Sequence, residues 1–415
     1  MQLLSISSFR TILPSDLIQR LAVKHSVDKC NQIRLPGLAV FTCLLDSVLS
    51  GGCASQRALE DAYYNNTGNT ADHSSFGKRL AKIPVGLFKD IFEHLYQELT
   101  PQAAPNEIKA LRVRFVDATI VTLSARLIKF GLSVSHTRNK ETGTGRRDVK
   151  AVFSLEENGL PRVMRLCSEP SEHSDNVALG EPILAELRPN DLYVVDAGLS
   201  DRDRLFTIDD KKAYFLTRHS SQRLNVGRVV FEAAQSQIND DAPGKDEATY
   251  QLVRVEDCRF GNDDARDTKK FAGLDLLAIH GRRWDSRSSK WTPLVLITNL
   301  PLSEDDTKAG PYSFTDVAEL YRQRWDIEQF FKFIKQNLGY SHILSRTQNG
   351  IEVMIYMTLI ATLLMIWYKK LAGIKNGWPS VRRWLAWDTE SWIPELIDAA
   401  IWEQVAARKN RPRRM

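Results

Sequence analysis

Cysteine is scarce in this chain of 415 residues: Cys30, Cys43, Cys53, Cys167 and Cys258 are scattered, with no Cys-x-x-Cys pair. Such spacing argues against a disulfide framework or a thiolate zinc site, and it fits a reducing compartment. Low-complexity tracts are missing as well, and 43% apolar with 26% charged residues describes an ordinary globular chain. Nor does one sign of charge dominate. Lys and Arg number 56 against 51 Asp and Glu, a net charge of +5, which permits a polyanionic partner without demanding one. The start, MQLLSISSFRTILPSD, lacks a basic stretch followed by a sustained apolar run, so no secretory signal is expected and the expected location is cytoplasmic. Long apolar runs are nearly absent. The exception, Ile351 to Tyr368, is long enough to span a bilayer, but after an amphipathic helix it reads as a helix buried on all sides, and no membrane partner is expected.

What is present is a change of periodicity along the chain. Residues 1–105 read as helical, from apolar spacing in LPSDLIQRLAVKH, LPGLAVFTCLLDSVLSG and VGLFKDIFEHLYQEL. Two shorter segments between them, GGCASQRALEDAYYNN and HSSFGKRLAKIP, carry polar, basic and aromatic faces. They suit either a helix-turn-helix reader of duplex DNA or a bundle that merely packs. PQAAPN at 101–106 reads as a linker. Over 106–218 the order is strand, strand, strand, helix, strand, helix, strand, the second and third strands joined by a turn at Asn158-Gly159. That is the sequence of elements a mixed sheet of the ribonuclease-H kind requires. Residues 219–312 read as an all-β insertion. One long helix is expected from Asp316 to Leu338, with a capping box at Ser313 and Asp316 and a stop at Gly339. The last part of the core is placed at 313–372, and 373–415 is a helical tail with several tryptophans.

The long helix carries a polar stripe. At about 100° per residue, with Tyr321 at 0°, Arg324 falls near ~300°, Glu328 near ~340° and Lys335 near ~320°. Leu320, Ile327, Phe331, Ile334 and Leu338 form the neighbouring buried face, while Asp326 projects well away. An Arg324–Glu328 ion pair on a solvated face would explain two members of the stripe; it leaves Tyr321 and Lys335 unexplained. Two further acids sit in apolar strands, Asp117 after Phe115-Val116 and Asp196 at the end of LYVVD. A carboxylate there is costly unless paired or bound to a metal. Mg²⁺ takes few carboxylates and completes its shell with water and phosphate oxygens. Three acids from two strands and a helix suit two such ions about 4 Å apart.

The run Tyr321-x2-Arg324-x3-Glu328-x6-Lys335 resembles the Y-R-E-K signature of the insertion-sequence family-4 transposases, the group containing those of the bacterial Tn-five and Tn-ten elements. VDAT at Asp117 and VVDAGLSD at Asp196 resemble the family's two aspartate strands, although Ala197 and Leu199 replace residues common in the second. YFLTR, ending at Arg218, resembles the strand leading into the family's β-insertion. The resemblance covers about residues 100–370 and implies a ribonuclease-H-like core with an all-β insertion behind a helical DNA-end-binding region.

It further implies that Asp117, Asp196 and Glu328 are the catalytic, metal-binding triad for Mg²⁺ or Mn²⁺, as two ions. Arg218, Tyr321, Arg324 and Lys335 would contact DNA, with Lys332 as a further contact. A tryptophan of the insertion, Trp284 or Trp291, would stack a displaced base. The implied partners are double-stranded DNA, at inverted-repeat ends and at the target, and a second copy of the chain. Basic clusters at Arg138, Lys140, Arg146 and Arg147 and at Arg408–Arg414 suit either a solvated surface or DNA. His173 with Asp175 is a weaker candidate ligand pair, against a capping role. The rival readings are a nuclease of the same fold that cuts without joining, and a non-catalytic DNA-binding protein descended from a transposase.

Overall fold

Among the described residues five helices precede the first strand, each placed by the periodicity and stop signals of its own segment: α1 (Ser15–Lys24), α2 (Gly37–Ser50), α3 (Gln56–Thr67), α4 (His73–Leu80) and α5 (Val85–Leu99). Then follow β1 (Arg112–Leu123), β2 (Arg147–Glu156), β3 (Pro161–Cys167), α6 (Asp175–Glu186), β4 (Asp191–Val195), α7 (Arg202–Asp210) and β5 (Tyr214–His219). Six strands come next: β6 (Leu224–Val226), β7 (Val229–Ile238), β8 (Lys245–Arg254), β9 (Cys258–Phe260), β10 (Asp275–Asp285) and β11 (Lys290–Thr298). Helices α8 (Phe314–Gln323), α9 (Trp325–Asn337) and α10 (Gln348–Leu371) complete the order. The structure is a computed structural model. It describes residues 11–28, 35–50, 55–100, 111–123, 147–156, 159–167, 175–196, 202–219, 224–226, 228–238, 245–254, 258–260, 274–285, 288–301, 314–338, 345, 347–371, 373 and 378–386.

The chain divides into two units, one of Met1–Gln102, Val121–Asp148 and Phe330–Met415, the other of Ala103–Ile120 and Val149–Gln329. The first is helical in its described residues apart from the end of β1 and the start of β2. Ser55 caps α3 by accepting a hydrogen bond from the Ala58 amide, and Asp72 caps α4 through the Ser74 amide. Gly68 ends α3 at φ +66°, a left-handed turn that glycine adopts without a Cβ clash. Helix α10 packs against α5, α2 and α4. Its first turn is tied down by the Asn349 amide, whose Nδ2 donates to the carbonyls of Leu80 at 3.0 Å and Ile83 at 2.8 Å. By length and composition α10 could cross a membrane, yet 78% of its most apolar stretch is buried inside the protein. Thr358 and Thr362, both buried, satisfy their hydroxyls on the carbonyls of Met354 and Thr358.

The second unit is built on one nine-stranded sheet in the order β3-β2-β1-β4-β5-β11-β10-β8-β7, with β6 and β9 forming a separate pair. The expected order of elements over 106–218 is found, with Gly159 at φ +81° in the β2–β3 hairpin. Strands β1, β4 and β5 are parallel, while β11, β10, β8 and β7 continue the sheet antiparallel from β5. The strands expected between 219 and 312 thus extend the same sheet. On one face, Val116, Tyr193, Val195 and Phe215 pack with Ala178, Leu179 and Ile183 of α6 and with Leu205 and Ile208 of α7.

One expectation needs correction. The single helix from Asp316 to Leu338 is two helices, broken at Arg324. No proline or glycine forces the break. Instead the Arg324 amide bonds to the Tyr321 carbonyl and the Ile327 amide to the Arg324 carbonyl, three-residue spacings that wind this turn tighter than an α-helix. Ser313 and Gly339, the expected cap and stop, lie outside the described residues.

Candidate active site

Strand register builds the site. Val116 of β1 pairs with Val195 of β4, and Val195 pairs with Thr217 of β5. One residue further along come Asp117, midway along β1 where its pairing with β4 ends, Asp196, just past the end of β4, and Arg218, near the end of β5, a transverse row across three adjacent parallel strands. Successive strand residues point to opposite faces. With Val116 and Val195 packed on α6 and α7, the row belongs to the other face of the sheet. Asp196 and Arg218 lie at the carboxyl ends of β4 and β5, where open α/β sheets present their binding residues.

Helix α8 packs on β5 and brings its polar residues to this row. The Tyr321 hydroxyl donates to Asp196 Oδ1 at 3.2 Å. At the break, Arg324 Nη2 donates to Glu328 Oε1 at 2.7 Å and Nη1 lies 3.9 Å from Asp117 Oδ2. The guanidinium is only 9% exposed and lies 5.7 Å from the centre of the Tyr321 ring. All three sequence-derived acids, with Tyr321, Arg324 and Arg218, therefore belong to one neighbourhood of the sheet unit.

The electrostatics follow from this crowding. Burial pushes the Asp117 carboxyl up to about 6, with Glu328 and Asp196 adding repulsion, while the Ala118 amide and Arg324 pull the other way. Burial, then the charge of Asp196, raises the Tyr321 phenol above its ordinary range, so it remains a hydrogen-bond donor. Burial is the largest influence and works against the charge of Arg324, but the hydrogen bond to Glu328 together with the charges of Tyr321, Asp196 and Glu328 outweighs it and holds the guanidinium protonated. A half-buried carboxylate repelled by two others is what a divalent cation would relieve. Among the described residues, no three Asp, Glu, His or Cys side chains close around one point tightly enough to hold an ion by themselves. The donor set still fits Mg²⁺ or Mn²⁺, because these ions take one or two carboxylates and fill their shells with water and phosphate.

The other sequence-derived residues are placed less directly. Lys332 is exposed and Lys335 half-buried, further along α9 in the stretch that belongs to the helical unit. Trp291 is half-buried on β11 with the Arg282 guanidinium 5.8 Å from its ring centre. Trp284 is its register partner, but its side chain lies outside the described residues. So do His173, the Asp175 side chain, Arg138, Lys140, Arg146, the Arg147 side chain and Arg408–Arg414. Two features escape a reading of the sequence. Trp325, 53% exposed, presents an aromatic surface directly after the buried Arg324. Thr217 is fully buried, and its hydroxyl donates to the Asp196 carbonyl at 2.9 Å, fixing the backbone that carries the acid. A threonine within the apolar YFLTR run was the available signal for the second.

Acids and cationic groups drawn to one face of a sheet suit the handling of phosphodiesters, and comparison with known proteins defines the class. The family described as "Transposase DDE domain" matches residues 109–364, more than half of the chain and all of the residues just placed, so the chain belongs to that family. Within it, the chain is a DDE transposase of the insertion-sequence family-4 type. It is 23% identical over 307 residues to the putative transposase for insertion sequence element IS4SA of Synechocystis sp., covering 72% of this chain and 73% of that protein. It is 24% identical over 287 residues to the putative transposase y4zB of Sinorhizobium fredii, covering 69% and 68%. The transposase for insertion sequence element IS231B of Bacillus thuringiensis subsp. berliner is 21% identical over 341 residues, covering 75% and 69%. Among solved structures, the piggyBac transposase synaptic complex with hairpin DNA aligns over 99% of this chain and 86% of that one, with a TM-score of 0.45 and 11% identity. That likeness is too loose to transfer detail.

Proposed function

We propose that this transposase cuts the phosphodiester at the ends of its insertion sequence and joins the freed 3′ ends to target DNA, with Asp117, Asp196 and Glu328 as its catalytic acids. The observation that carries the reading is the Asp117–Asp196–Arg218 row, to which Arg324 ties Glu328. The strand order β3-β2-β1-β4-β5 supports a ribonuclease-H-like core. DDE transposases depend on divalent metal. Asp117, Asp196 and Glu328 would hold Mg²⁺ or Mn²⁺, as two ions, whose charge lowers the cost of the developing negative charge at the scissile phosphate.

The chain's own residues supply orientation. Asp117 and Asp196, fixed by neighbouring strands, set one side of the site with little freedom to move. Tyr321 holds the Asp196 carboxylate in one rotamer, and Thr217 holds its backbone. Arg218, exposed at the end of the row, is free to meet a DNA phosphate. Lys332 and Lys335 would extend that contact along the backbone, which would make binding strongly salt-dependent. The helices α3 and α4 would read the inverted-repeat ends, and pairing two ends calls for two copies of the chain. We place this work in the bacterial cytoplasm.

The test is strand transfer of a pre-cleaved end with Mg²⁺ or Mn²⁺, alongside cleavage of an intact end. Asp117→Asn and Glu328→Gln should each lower both activities by about a thousandfold, while DNA binding in a mobility-shift assay persists. Cleavage without joining would favour a nuclease. End binding without either reaction in any divalent ion would favour a DNA-binding regulator. Undiminished cleavage by Asp117→Asn would remove that residue from the mechanism.

A further inference from the structure

The positive charge lying between two of the acids belongs to the chain itself. Arg324 reaches Glu328 at 2.7 Å and Asp117 at 3.9 Å from the tight turn between α8 and α9. The preceding turn supplies Tyr321, whose hydroxyl is 3.2 Å from Asp196. Each acid thus has a partner drawn from residues 321–324. The seat is imperfect, however. Arg324 Nε is buried with no hydrogen-bond partner, although the residue is only 9% exposed. A buried donor left without a partner weakens a seat that two carboxylates otherwise favour. A guanidinium held by two acids yet incompletely bonded is suited to being exchanged.

We propose that Arg324 is a built-in counter-cation: it keeps Asp117 and Glu328 gathered while the site awaits its substrate, and it must give way for a divalent ion to bind. The inference rests on the reading of these acids as ion ligands. It makes Arg324 a positioning residue with two consequences of opposite sign. Its charge stabilises the free protein, because without it two half-buried carboxylates repel each other. The same charge weakens ion binding, because one cation disfavours another a few ångströms away in a partly desolvated site. Tight ion binding would then wait for DNA, whose phosphates offer the guanidinium a new partner.

The test uses the full-length chain without DNA and reads Mn²⁺ binding by electron paramagnetic resonance, with thermal melting in parallel. Arg324→Met should bind Mn²⁺ on the order of tenfold more tightly than the wild type. It should also melt lower in the absence of Mn²⁺ and recover when Mn²⁺ is added. Arg324→Lys keeps a charge but reaches fewer carboxylate oxygens, so its affinity should fall between the two. Equal or weaker Mn²⁺ binding by Arg324→Met, with Asp117→Asn abolishing the signal, would overturn the counter-cation and leave the acids as ligands. Wild-type Mn²⁺ binding by Asp117→Asn would instead overturn the ligand assignment. Should Arg324→Met fail to fold, Arg324→Lys decides: tighter binding than wild type supports the inference, and equal or weaker binding overturns it.

Discussion

The helical unit and the sheet unit solve the problem of buried polarity in different ways. In the helical unit, α10 buries an almost wholly apolar surface, and its two buried threonines bond to their own helix. Beside α10, Lys89 pairs with Glu352 at 3.3 Å and lies over the Tyr356 ring, near the surface. The sheet unit buries charge outright. Asp191 is fully buried against Arg112 and Tyr193, Arg114 is 5% exposed, and Arg324 is 9% exposed. Buried ion pairs are a weak source of stability, because desolvation consumes most of the attraction. The contrast teaches that the sheet unit retains groups for what they do, whereas the helical unit is arranged for packing.

The largest stability effect should come from the helical unit. Leu363 on α10 is fully buried, so Leu363→Ala should cost about 3 kcal/mol from lost burial and the cavity left behind. A fall in the urea midpoint at unchanged slope would show it; a change below about 1 kcal/mol would mean that α10 is not packed as described.

A second experiment sharpens the comparison from the other side. The folded Asp117 carboxyl titrates near 6, above its ordinary 3.8, so the folded state holds its proton more tightly than the unfolded chain. Its contribution to stability is therefore full below about pH 4 and is lost as pH rises through about 6. Asp117→Asn escapes that loss. Relative to wild type it should gain about 2 kcal/mol between pH 4 and pH 7 without added divalent ion. Thermal melts of both proteins across that range check it, and parallel curves would refute the buried charge. The smallest effect is expected at Thr217. Thr217→Val removes the hydroxyl that holds the Asp196 carbonyl and should cost about 1 kcal/mol. Cleavage should fall severalfold more than DNA binding does, since the acid is loosened while the DNA contacts remain.

Much of the sheet unit was legible because its signals are local. Apolar runs marked the strands, and Asp117 within one such run and Asp196 at the end of another stood out as carboxylates. The stripe of Tyr321, Arg324 and Glu328 was legible from helical spacing, but the helix was read as continuous. The winding at Arg324 has no local marker, since it depends on hydrogen bonds set at three-residue spacing. Trp291 and Trp284 were candidates through the family resemblance, which implies a stacking tryptophan in the insertion. Trp325 was not, because its exposure depends on the turn that buries its neighbour.

The row of Asp117, Asp196 and Arg218 marks the division most clearly. By itself the amino-acid sequence determined which residues were acidic or basic, which strands were apolar enough to carry them, and the spacing that identifies the family. Those properties depend on side-chain chemistry and on periods of two and 3.6 residues, which a linear chain displays directly. Only the tertiary structure decided that Val116, Val195 and Thr217 share a register, so that three residues far apart in the chain fall into one line. Register between strands is set by which side chains pack on the common face, and no segment holds that information alone.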